Sequence, residues 1–301
     1  MELRHLRYFV AVARERNFTR AAAKLHIAQP PLSRQIQQLE DELGAQLVER
    51  GSRPISLTEV GRLVFEQATQ VLERVEDIKL ITRRLQLGKR HLSIGFVGST
   101  LYGYLPDVIR AYRTARPDAE LNLVELTTLE QLAALKDQRI DVGFGRIPLD
   151  DPMVERVLLR NERLCAAVPP GHRALHGSGA IWLADLAGEP VVVYPKAPRP
   201  SYADQVLALF RDQGLKPAAV YEVKELQTAL GLVAAETGVC IVPASVERLR
   251  RDNVVYRRLR DKAAFSPIIM STRKGDRSPE TALILTLIRQ IYDRQNIMFG
   301  A

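Results

Sequence analysis

Residues 17–43 read NFTRAAAKLHIAQPPLSRQIQQLEDEL and contain two short helical patterns joined by a tight connection. In the first pattern, Phe18 and Thr19 have the residue types of a hydrophobic staple and an N-cap, and a run of small residues follows them. The second pattern begins around Pro30 and Pro31, because proline is tolerated in the first turn of a helix. Its apolar residues recur at steps of four, three and four, which predicts one buried stripe: Leu32, Ile36, Leu39 and Leu43.

The opposite face of the second helix is polar and carries no acid until residues 40–42, at the far end. A polar, neutral-to-basic N-terminal half suits entry into the major groove of double-stranded DNA. We therefore predict a helix-turn-helix, although an ordinary helical hairpin in a globular core would show the same pattern. The predicted DNA-facing residues are Thr19, Gln29, Pro30, Pro31, Ser33 and Arg34.

The flanks of this stretch favour DNA binding over the plain hairpin. An amphipathic helix precedes it, with apolar residues at Leu3, Leu6, Phe9, Val10 and Ala13. The following segment, GSRPISLT at residues 51–58, predicts a short two-stranded wing, where Arg50 or Arg53 would reach phosphate or the minor groove. Three helices and a basic wing predict an all-α winged helix-turn-helix domain over residues 1–58.

Residues 59–88 predict one long linker helix. Its apolar residues follow alternating steps of three and four, as in a coiled-coil seam: Val64, Ala68, Val71, Val75, Ile78 and Leu85. Such a helix is about 40 Å long, too long to be covered by a small winged domain. A second copy of the chain would cover the seam, and a dimer also fits paired recognition helices on half-sites about one turn apart. The alternative is packing of this helix on its own C-terminal region.

The first sixty residues resemble the LysR-type transcriptional regulators. The resemblance rests on the runs 18–22 and 29–36 and on Leu39-Glu40, Leu43-Gly44, Leu47, Arg50, Leu57-Thr58 and Gly61. It implies a winged helix-turn-helix, a dimerising linker helix, and a C-terminal effector-binding region of two α/β subdomains resembling a periplasmic binding protein. It also implies promoter DNA and RNA polymerase as partners, and a homodimer that assembles to a homotetramer.

Strand and helix patterns alternate through residues 89–301, which predicts parallel α/β sheets. The predicted strands are 91–97, 121–126, 141–144, 157–159, 164–168, 191–194, 220–223 and 239–243. The predicted helices are 104–113, 129–135, 202–213, 225–235 and 279–295. We assign residues 89–161 and 268–301 to lobe I and residues 162–267 to lobe II. Crossing strands near residues 160 and 268 would join the lobes and leave a cleft between them.

Polar residues follow several predicted strands, where ligands of open α/β sheets bind. Ser99-Thr100, Thr128 and Pro200-Ser201-Tyr202 each open a helix, and free N–H groups at helix starts favour anions. Arg146 follows another strand at the same edge and could pair with a carboxylate. The combination predicts a small acid or diacid as ligand. Taken singly, each Ser or Thr could be a plain N-cap, and Arg146 could be a surface ion pair.

Residues 94–99, 140–146, 158–164 and 229–235 resemble the LysR branch that controls benzoate and catechol degradation and responds to cis,cis-muconate. The resemblance implies Ser99, Thr128 and the backbone near residues 201–202 as carboxylate contacts, with Ile269 and Phe144 lining an apolar middle. This chain has Thr100 and Tyr202 where apolar residues are more usual. A chlorinated or hydroxylated relative of muconate therefore stays open as effector.

A second polar cluster in lobe I is predicted from Arg160, Glu225 and Tyr292, with an internal structural salt bridge as the alternative. Net charge is +8, and residues 1–90 hold 16 Lys+Arg against 11 Asp+Glu. This excess fits an electrostatic footprint on phosphates, although a solvated basic surface would look the same.

Several protein classes lack their signatures in this sequence. No apolar run approaches the roughly 18 residues of a membrane span, and the N-terminus has no small-residue cleavage site. Cys165 and Cys240 lie within apolar strand patterns, so we expect reduced core residues of a cytoplasmic protein. The histidines have no metal-ligand spacing, and GxSxG, P-loop and GxGxxG motifs are absent. We therefore expect no enzymatic activity and no bound metal or cofactor. The alternative of a solute-binding protein would leave residues 1–90 without a role.

Overall fold

The computed structural model describes residues 1–49, 51, 54–86, 90–177 and 179–300. The chain divides into two compact units, Met1–Gly88 and Lys89–Ala301. The first unit contains four helices within its described residues: α1 Leu3–Glu15, α2 Phe18–Lys24, α3 Gln29–Leu43 and α4 Glu59–Gln86.

Helix α2 begins two residues earlier than the sequence pattern suggests. Asn17 is its N-cap, and the Asn17 side-chain oxygen accepts a hydrogen bond from the N–H of Arg20 at 3.0 Å. Thr19 lies inside the helix, so its prediction as the cap was wrong. The reason is that Asn caps at least as well as Thr, and Asn17 is already in the extended conformation that a cap requires.

Helix α3 buries Leu32, Ile36 and Leu39, as its apolar periodicity predicts. Leu43 is 41% exposed, so its place in the buried stripe was wrong. It is the last residue of the helix, and Gly44 turns the chain away with a φ of +67°, a conformation that glycine adopts without strain. The core beneath the first three turns therefore does not extend to the fourth.

The segment after α3 returns along itself as an antiparallel pair. Val48 pairs with Leu57, and the N–H of Glu49 donates to the carbonyl of Ser56 at 3.0 Å. The buried carboxylate of Glu40 accepts the N–H groups of residues 47 and 48, at 2.8 and 3.1 Å, which fixes this pair to α3. Arg50 and Arg53, the predicted basic residues of the wing, lie outside the described residues.

The N-terminal half of helix α4 packs on the core of the first unit, and other apolar residues of α4 are exposed. Ala68 is buried, and Val64 and Leu72 pack partly on the same core. Leu63 is 61% exposed and Val71 is 42% exposed. The side chain of Leu85, the last residue of the predicted seam, lies outside the described part of the chain.

The second unit is built on one sheet that runs through both lobes. Its strands are β1 His91–Phe96, β2 Glu120–Glu125, β3 Val142–Gly145, β4 Val154–Val168, β5 Val191–Val193, β6 Val220–Glu222, β7 Val239–Pro243, β8 Val255–Arg258 and β9 Phe265–Arg273. The order is β2-β1-β3-β9-β4-β7-β5-β6, and β8 pairs with β4. The helices are α5 Leu105–Ala115, α6 Thr128–Lys136, α7 Tyr202–Asp212, α8 Leu226–Ala234 and α9 Pro279–Arg294.

Each lobe repeats the same local arrangement. In lobe I, β1 is parallel to β2 and β3; in lobe II, β5 is parallel to β6 and β7. The crossing strands β4 and β9 are antiparallel to each other and connect the two halves. Because these strands cross between the lobes, the parallel strands of both lobes direct their carboxyl ends toward the space between them.

The two segments predicted as separate strands, 157–159 and 164–168, are parts of the single strand β4. The polar residues between them resemble a loop in the sequence, but they cross from one lobe to the other while paired with β9. Strand β8 is not predicted, because it has only four residues and two of them are consecutive arginines.

The lobes have separate hydrophobic cores. Cys165 and Cys240 are buried in the lobe II core as free thiols. Among the described residues, no helix is both long and apolar enough to cross a membrane. The same residues contain no group of histidine, cysteine and carboxylate side chains that could hold a metal ion.

Candidate functional site

A cavity of about 360 Å³ lies between the lobes of the second unit, at the carboxyl ends of the parallel strands. Lobe I contributes residues after β1, β2 and β3, and lobe II contributes residues after β5 and β6. Its polar lining includes Ser99, Tyr102, Glu125, Thr127, Thr128, Glu130, Arg146, Tyr194, Ser201, Tyr202, Lys224, Glu225 and Gln227.

Four helix starts line this cavity, and the fourth is that of α8, with Glu225 as its N-cap. The 3₁₀ helix Gly98–Tyr102 follows β1, Thr127 caps α6, and Ser201 caps α7. The hydroxyl of Ser201 accepts the N–H of Ala203 at 3.3 Å and donates to the carbonyl of Pro195 at 3.1 Å. The first N–H groups of a helix have no backbone acceptor inside it, so helix starts favour anions. At two of these starts a carboxylate already accepts one N–H group: Glu130 accepts that of Thr127 and Asp204 that of Ser201.

Six of the nine residues predicted for the effector line the cavity: Ser99, Thr128, Arg146, Pro200, Ser201 and Tyr202. Thr100, Phe144 and Ile269 do not, and their prediction as cavity residues was wrong. The Thr100 hydroxyl donates to the carbonyl of Val97 at 2.7 Å, and Thr100 lies with Phe144 around a separate void of about 20 Å³. Ile269 is buried in β9 beside Gly145 and Leu158. A single step in a strand or a 3₁₀ turn sends neighbouring side chains to different sides.

Arg146 lines the cavity and also belongs to a buried ion pair. Its Nη2 atom donates to the Glu162 carboxylate at 2.7 Å, and its Nε donates to the Ser99 hydroxyl oxygen at 2.8 Å. Arg146 is 2% exposed and Glu162 is 4% exposed. The Ser245 N–H donates to the other Glu162 oxygen at 2.7 Å. Glu162 therefore connects Arg146 of lobe I with the backbone of lobe II.

The acidity of Glu162 reflects opposing influences. Burial raises its pKa, but the positive charges of Arg146 and Arg160, with the hydrogen bonds from Ser245 and Arg146, outweigh burial and hold the pKa below its ordinary value. The carboxylate is therefore ionised at neutral pH.

Tyr202 directs its hydroxyl away from the cavity. The hydroxyl donates to the carbonyl of Ile241 in β7 at 3.3 Å, and burial raises the pKa of the phenol well above its usual range. The idea that the extra hydroxyls of Tyr202 and Thr100 favour a hydroxylated or chlorinated ligand loses its basis, because both hydroxyls bond to backbone carbonyls.

The three residues of the predicted second cluster do not meet. Glu225 is the N-cap of α8 in lobe II and lines the main cavity. Arg160 and Tyr292 do lie together in lobe I: the guanidinium lies 5.3 Å from the centre of the Tyr104 ring, which is 5.9 Å from the Tyr292 ring. Arg160 also pairs with Glu162 at 3.6 Å. Including Glu225 was wrong, because sequence alone did not show which lobe's helix start would face the cleft.

Sequence reasoning missed Tyr194 and Glu162. Tyr194 directly follows β5, so the strand-end rule that selected Arg146 in lobe I would have found it in lobe II. Glu162 lies within the crossing strand, and its partners are 16 and 83 residues away along the chain. No local signal marks such a residue.

The first unit presents a second candidate site, an open groove formed by α2, α3 and the paired segment after α3. Gln29 and Arg34 are exposed and Ser33 is half-buried. The Thr19 hydroxyl donates to the Gln29 side-chain oxygen at 3.1 Å, which joins the two helices at this surface. Pro30 and Pro31 are exposed in the first turn of α3. Thr19, Gln29 and Ser33 thus line this groove. The other predicted residues of α3, Pro30, Pro31 and Arg34, are exposed on the same helix.

Two family models match the chain. The model of the bacterial regulatory helix-turn-helix protein of the lysR family matches residues 3–62. The model of the LysR substrate binding domain matches residues 86–293.

Curated relatives resemble the chain over nearly its whole length. A probable cat1 operon transcriptional activator from Acinetobacter lwoffii is 52% identical over 293 residues, which are 97% of this chain and 96% of that protein. The regulator CatR from Pseudomonas putida is 52% identical over 291 residues, covering 96% and 99%. The regulator BenM from Acinetobacter baylyi is 47% identical over 294 residues, covering 97% and 96%.

Solved structures show the same similarity. Full-length BenM is 45% identical, with a TM-score of 0.67 and coverage of 99% of both chains. Full-length CbnR, complexed with its target DNA, is 34% identical, with a TM-score of 0.77 and coverage of 96% and 99%. The BenM effector binding domain with its effector benzoate is 41% identical, with a TM-score of 0.66 and coverage of 69% and 95%.

Proposed function

The chain belongs to the LysR family of transcriptional regulators, and from this premise we propose that a small carboxylic acid from aromatic-compound degradation controls its action at a promoter. The regulated genes in this proposal are those of benzoate or catechol breakdown, because the relatives include a cat1 operon activator, CatR and BenM. All three relatives are named as regulators, which supports a non-enzymatic role.

The proposed DNA contacts are the residues that share the solvent-facing surface of α2 and α3. Thr19, Gln29, Pro30, Pro31, Ser33 and Arg34 would face the major groove, and the CbnR structure with its target DNA supports this mode of binding. Arg34 is the residue of this set that can bind a guanine edge in bidentate fashion. Arg50 and Arg53 remain predicted contacts to phosphate or the minor groove.

The observation that carries the effector proposal is the cavity itself: helix starts from both lobes and the guanidinium of Arg146 surround one space between the lobes. This arrangement suits an anion. Benzoate is the effector in the BenM structure. We propose cis,cis-muconate or a related aromatic acid for this chain, with Ser99, Thr128 and the N–H groups at residues 201–202 as contacts. A chlorinated relative of muconate is the second candidate effector.

The proposed assembly is a homodimer through α4 that associates to a homotetramer and contacts RNA polymerase. Leu63 and Val71 of α4 are exposed apolar side chains, which supports a covering partner on this helix. Ligand binding between the lobes would favour one angle between them, and so one arrangement of the DNA-binding domains.

Calorimetric titration of the full chain with cis,cis-muconate, benzoate and succinate tests the effector proposal. We expect saturable micromolar binding of muconate or benzoate and none of succinate. The same acids are then added to the protein on a fluorescent promoter fragment, where the bound acid should change the footprint. Absence of binding by all aromatic-pathway acids would contradict the effector proposal, and DNA binding would be judged separately from the footprint.

A further inference from the structure

The positive charge of the second unit is concentrated in one segment, residues 247–262. This segment holds seven Lys+Arg and three Asp+Glu, which gives it a net charge of +4. The chain carries +8 in all and residues 1–90 account for +5, so residues 91–301 carry only +3. The second unit would therefore be slightly negative without this segment. Its residues neither line the cavity between the lobes nor belong to the DNA-facing surface, so their charge needs another explanation.

Most cations of this segment face solvent and lack a close counter-charge. The side chain of Arg258 is 67% exposed, and it reaches the Glu247 carboxylate only at 4.0 Å. An exposed pair at this distance contributes little to stability. Four further cations are exposed and have no ion pair in the described part of the chain: Arg250, Arg251, Arg260 and Lys262. Their charge is therefore available to a partner.

Strand β8 lies within this segment and pairs on one side with β4. The N–H of Leu259, directly after β8, donates to the carbonyl of Leu164 at 3.0 Å. Successive N–H groups of an extended chain point to opposite sides, so those of Tyr256 and Arg258 point away from β4. None of the described strands pairs with β8 on that side. Most of this edge of β8 is therefore free.

A short segment covers only the far end of the free edge. The N–H of Ile181 donates to the Arg258 carbonyl at 2.9 Å, and the Ile181 carbonyl accepts the N–H of Arg260 at 2.8 Å. Before this contact, an open groove of about 550 Å³ borders β8, and its lining includes Ala180 and Tyr256. The groove leaves room for an extended chain beside the strand.

The only tryptophan of the chain lies next to this edge. Trp182 directly follows Ile181 and is 51% exposed. Ile181 pairs with Leu259, and both side chains are buried. Because side chains alternate along an extended chain, Trp182 lies on the opposite face, which is also the face of Arg258 and Arg260. Aromatic and arginine side chains are enriched in protein–protein interfaces.

Charged side chains on an edge strand can also serve to prevent its pairing with other strands. Arginines repel basic segments, however, and attract acidic ones, and an exposed tryptophan gives no such protection. We infer that β8 and Trp182 form a docking surface for a partner protein, which adds an extended acidic segment to the free edge of β8. The N–H groups of Tyr256 and Arg258 would bond to its backbone, and its carboxylates would pair with Arg258 and Arg260.

The test follows the fluorescence of Trp182 in the full chain, because the chain has no other tryptophan. Removing water from an exposed indole shifts its emission to shorter wavelength. The probe is a synthetic peptide of about ten residues, long enough for one strand, in which glutamate and valine alternate. We expect a saturable shift, with an affinity that falls as the salt concentration rises.

Two altered peptides separate charge from strand formation. Replacing every glutamate by glutamine removes the charge, and replacing every valine by proline keeps the charge but removes the N–H groups that a strand requires. Neither peptide should shift the emission. Binding of the glutamine peptide as tight as that of the acidic one would contradict recognition by charge, and equal binding of the proline peptide would contradict strand addition.

A double variant tests the arginines. Arg258→Gln combined with Arg260→Gln should weaken the acidic peptide by about tenfold or more, because charge-assisted hydrogen bonds are lost. The matched control is Lys274→Gln combined with Arg277→Gln, which removes two charges from the exposed turn after β9. It should bind the peptide within about twofold of the wild type. Both proteins should keep a melting temperature close to that of the wild type, because the replaced side chains are exposed.

Four results would overturn the inference. They are the absence of a shift with the acidic peptide, and an equal loss of affinity in the two double variants. A random DNA duplex that shifts the Trp182 emission and displaces the peptide would assign the surface to nucleic acid instead. A shift that depends on protein concentration alone would assign it to a second copy of the chain. None of these outcomes depends on effector binding in the cavity, so the inference and the proposed function can fail separately.

Discussion

The proposed DNA-facing surface of α3 and the cavity between the lobes both carry polar side chains, but in opposite environments. On α3, Arg34 and Gln29 are exposed to solvent. In the cavity, Arg146 is almost completely buried and is fixed by Glu162 and Ser99. The hydrogen-bond donors of α3 are therefore hydrated, whereas Arg146 in the cavity is held by hydrogen bonds within the protein.

The difference fits what each surface is proposed to bind. A DNA groove is large, hydrated and variable in sequence, so exposed side chains that adjust to it are suitable. A small anion offers few atoms, so its donors must already be dehydrated and oriented. Substitutions in the cavity should therefore change stability strongly and acid binding with it. Substitutions on α3 should change DNA binding and leave stability unchanged.

The largest effect is expected from Glu162→Gln. This change leaves the buried guanidinium of Arg146 without its counter-charge, and breaking one side of a buried ion pair costs about 3–5 kcal/mol. The free energy of unfolding, measured by urea denaturation, should fall by this amount. Asp150→Asn is the control: Asp150 pairs with Arg156 but is 95% exposed, so its loss should cost at most about 1 kcal/mol.

Glu162→Gln should also change how the stability of the protein depends on pH. The pKa of Glu162 is lowered in the folded protein from its ordinary value of 4.5, so its stabilising contribution is complete above pH 4.5. That contribution is lost as the pH falls through the lowered pKa. Glu162→Gln should therefore lose less stability than the wild type between pH 5 and about pH 3. Parallel acid titrations of the two proteins would contradict this assignment.

Gly145→Ala should show the next largest effect. A Cβ atom at Gly145 would lie 2.8 Å from both the Oγ1 and Cγ2 atoms of Thr128, which begins α6 at the cavity. Thr128 must then move, at a cost of about 1–3 kcal/mol in stability, and acid binding should weaken too. Calorimetry and thermal unfolding measure the two losses. Gly177→Ala, where nothing lies within 4 Å of the new atom, should change neither.

Arg34→Ala should affect DNA binding and nothing in the cavity. We expect affinity for the promoter fragment to fall about tenfold or more, with relaxed preference at one base pair, and melting temperature and acid binding to stay unchanged. Fluorescence anisotropy on matched specific and random fragments measures both affinities. Arg4→Ala, which removes the same charge from α1, should weaken both fragments slightly and equally. An equal loss for Arg34→Ala on both fragments would reduce its role to phosphate contact.

The same contrast explains what the sequence could predict. Helix α3 and the strands β1, β5 and β7 were predictable because their apolar spacing and β-branched runs are local. The strand-end rule selected Ser99, Thr128 and Arg146, since it depends only on where a strand stops. It failed for Thr100, and the family resemblance failed for Phe144 and Ile269, because one step along a strand or turn decides which side a residue faces.

The partners of Arg146 were beyond the reach of the sequence. Glu162 pairs with it across 16 residues, within a crossing strand that reads as two strands in the sequence. Likewise, only the fold shows that the Tyr202 hydroxyl is bonded to the carbonyl of Ile241. Burial and competition for partners are properties of the fold, and they decide which polar residues remain available to a ligand.

The smallest effect is expected from Tyr102→Phe, which lies on the border between the two environments. Tyr102 lines the cavity, but its hydroxyl meets solvent and accepts a hydrogen bond from Gln227 of lobe II at 3.2 Å. If burial, rather than position in the cavity, decides the strength of an interaction, this exposed hydrogen bond should contribute as little as an exposed one on α3. Water can replace the lost hydroxyl, so acid affinity should change by about threefold or less. Calorimetry of the variant beside the wild type measures this change, and Gln227→Ala should repeat the small effect. A loss of about tenfold or more would mean that closure across the cavity mouth, rather than burial of donors, controls affinity.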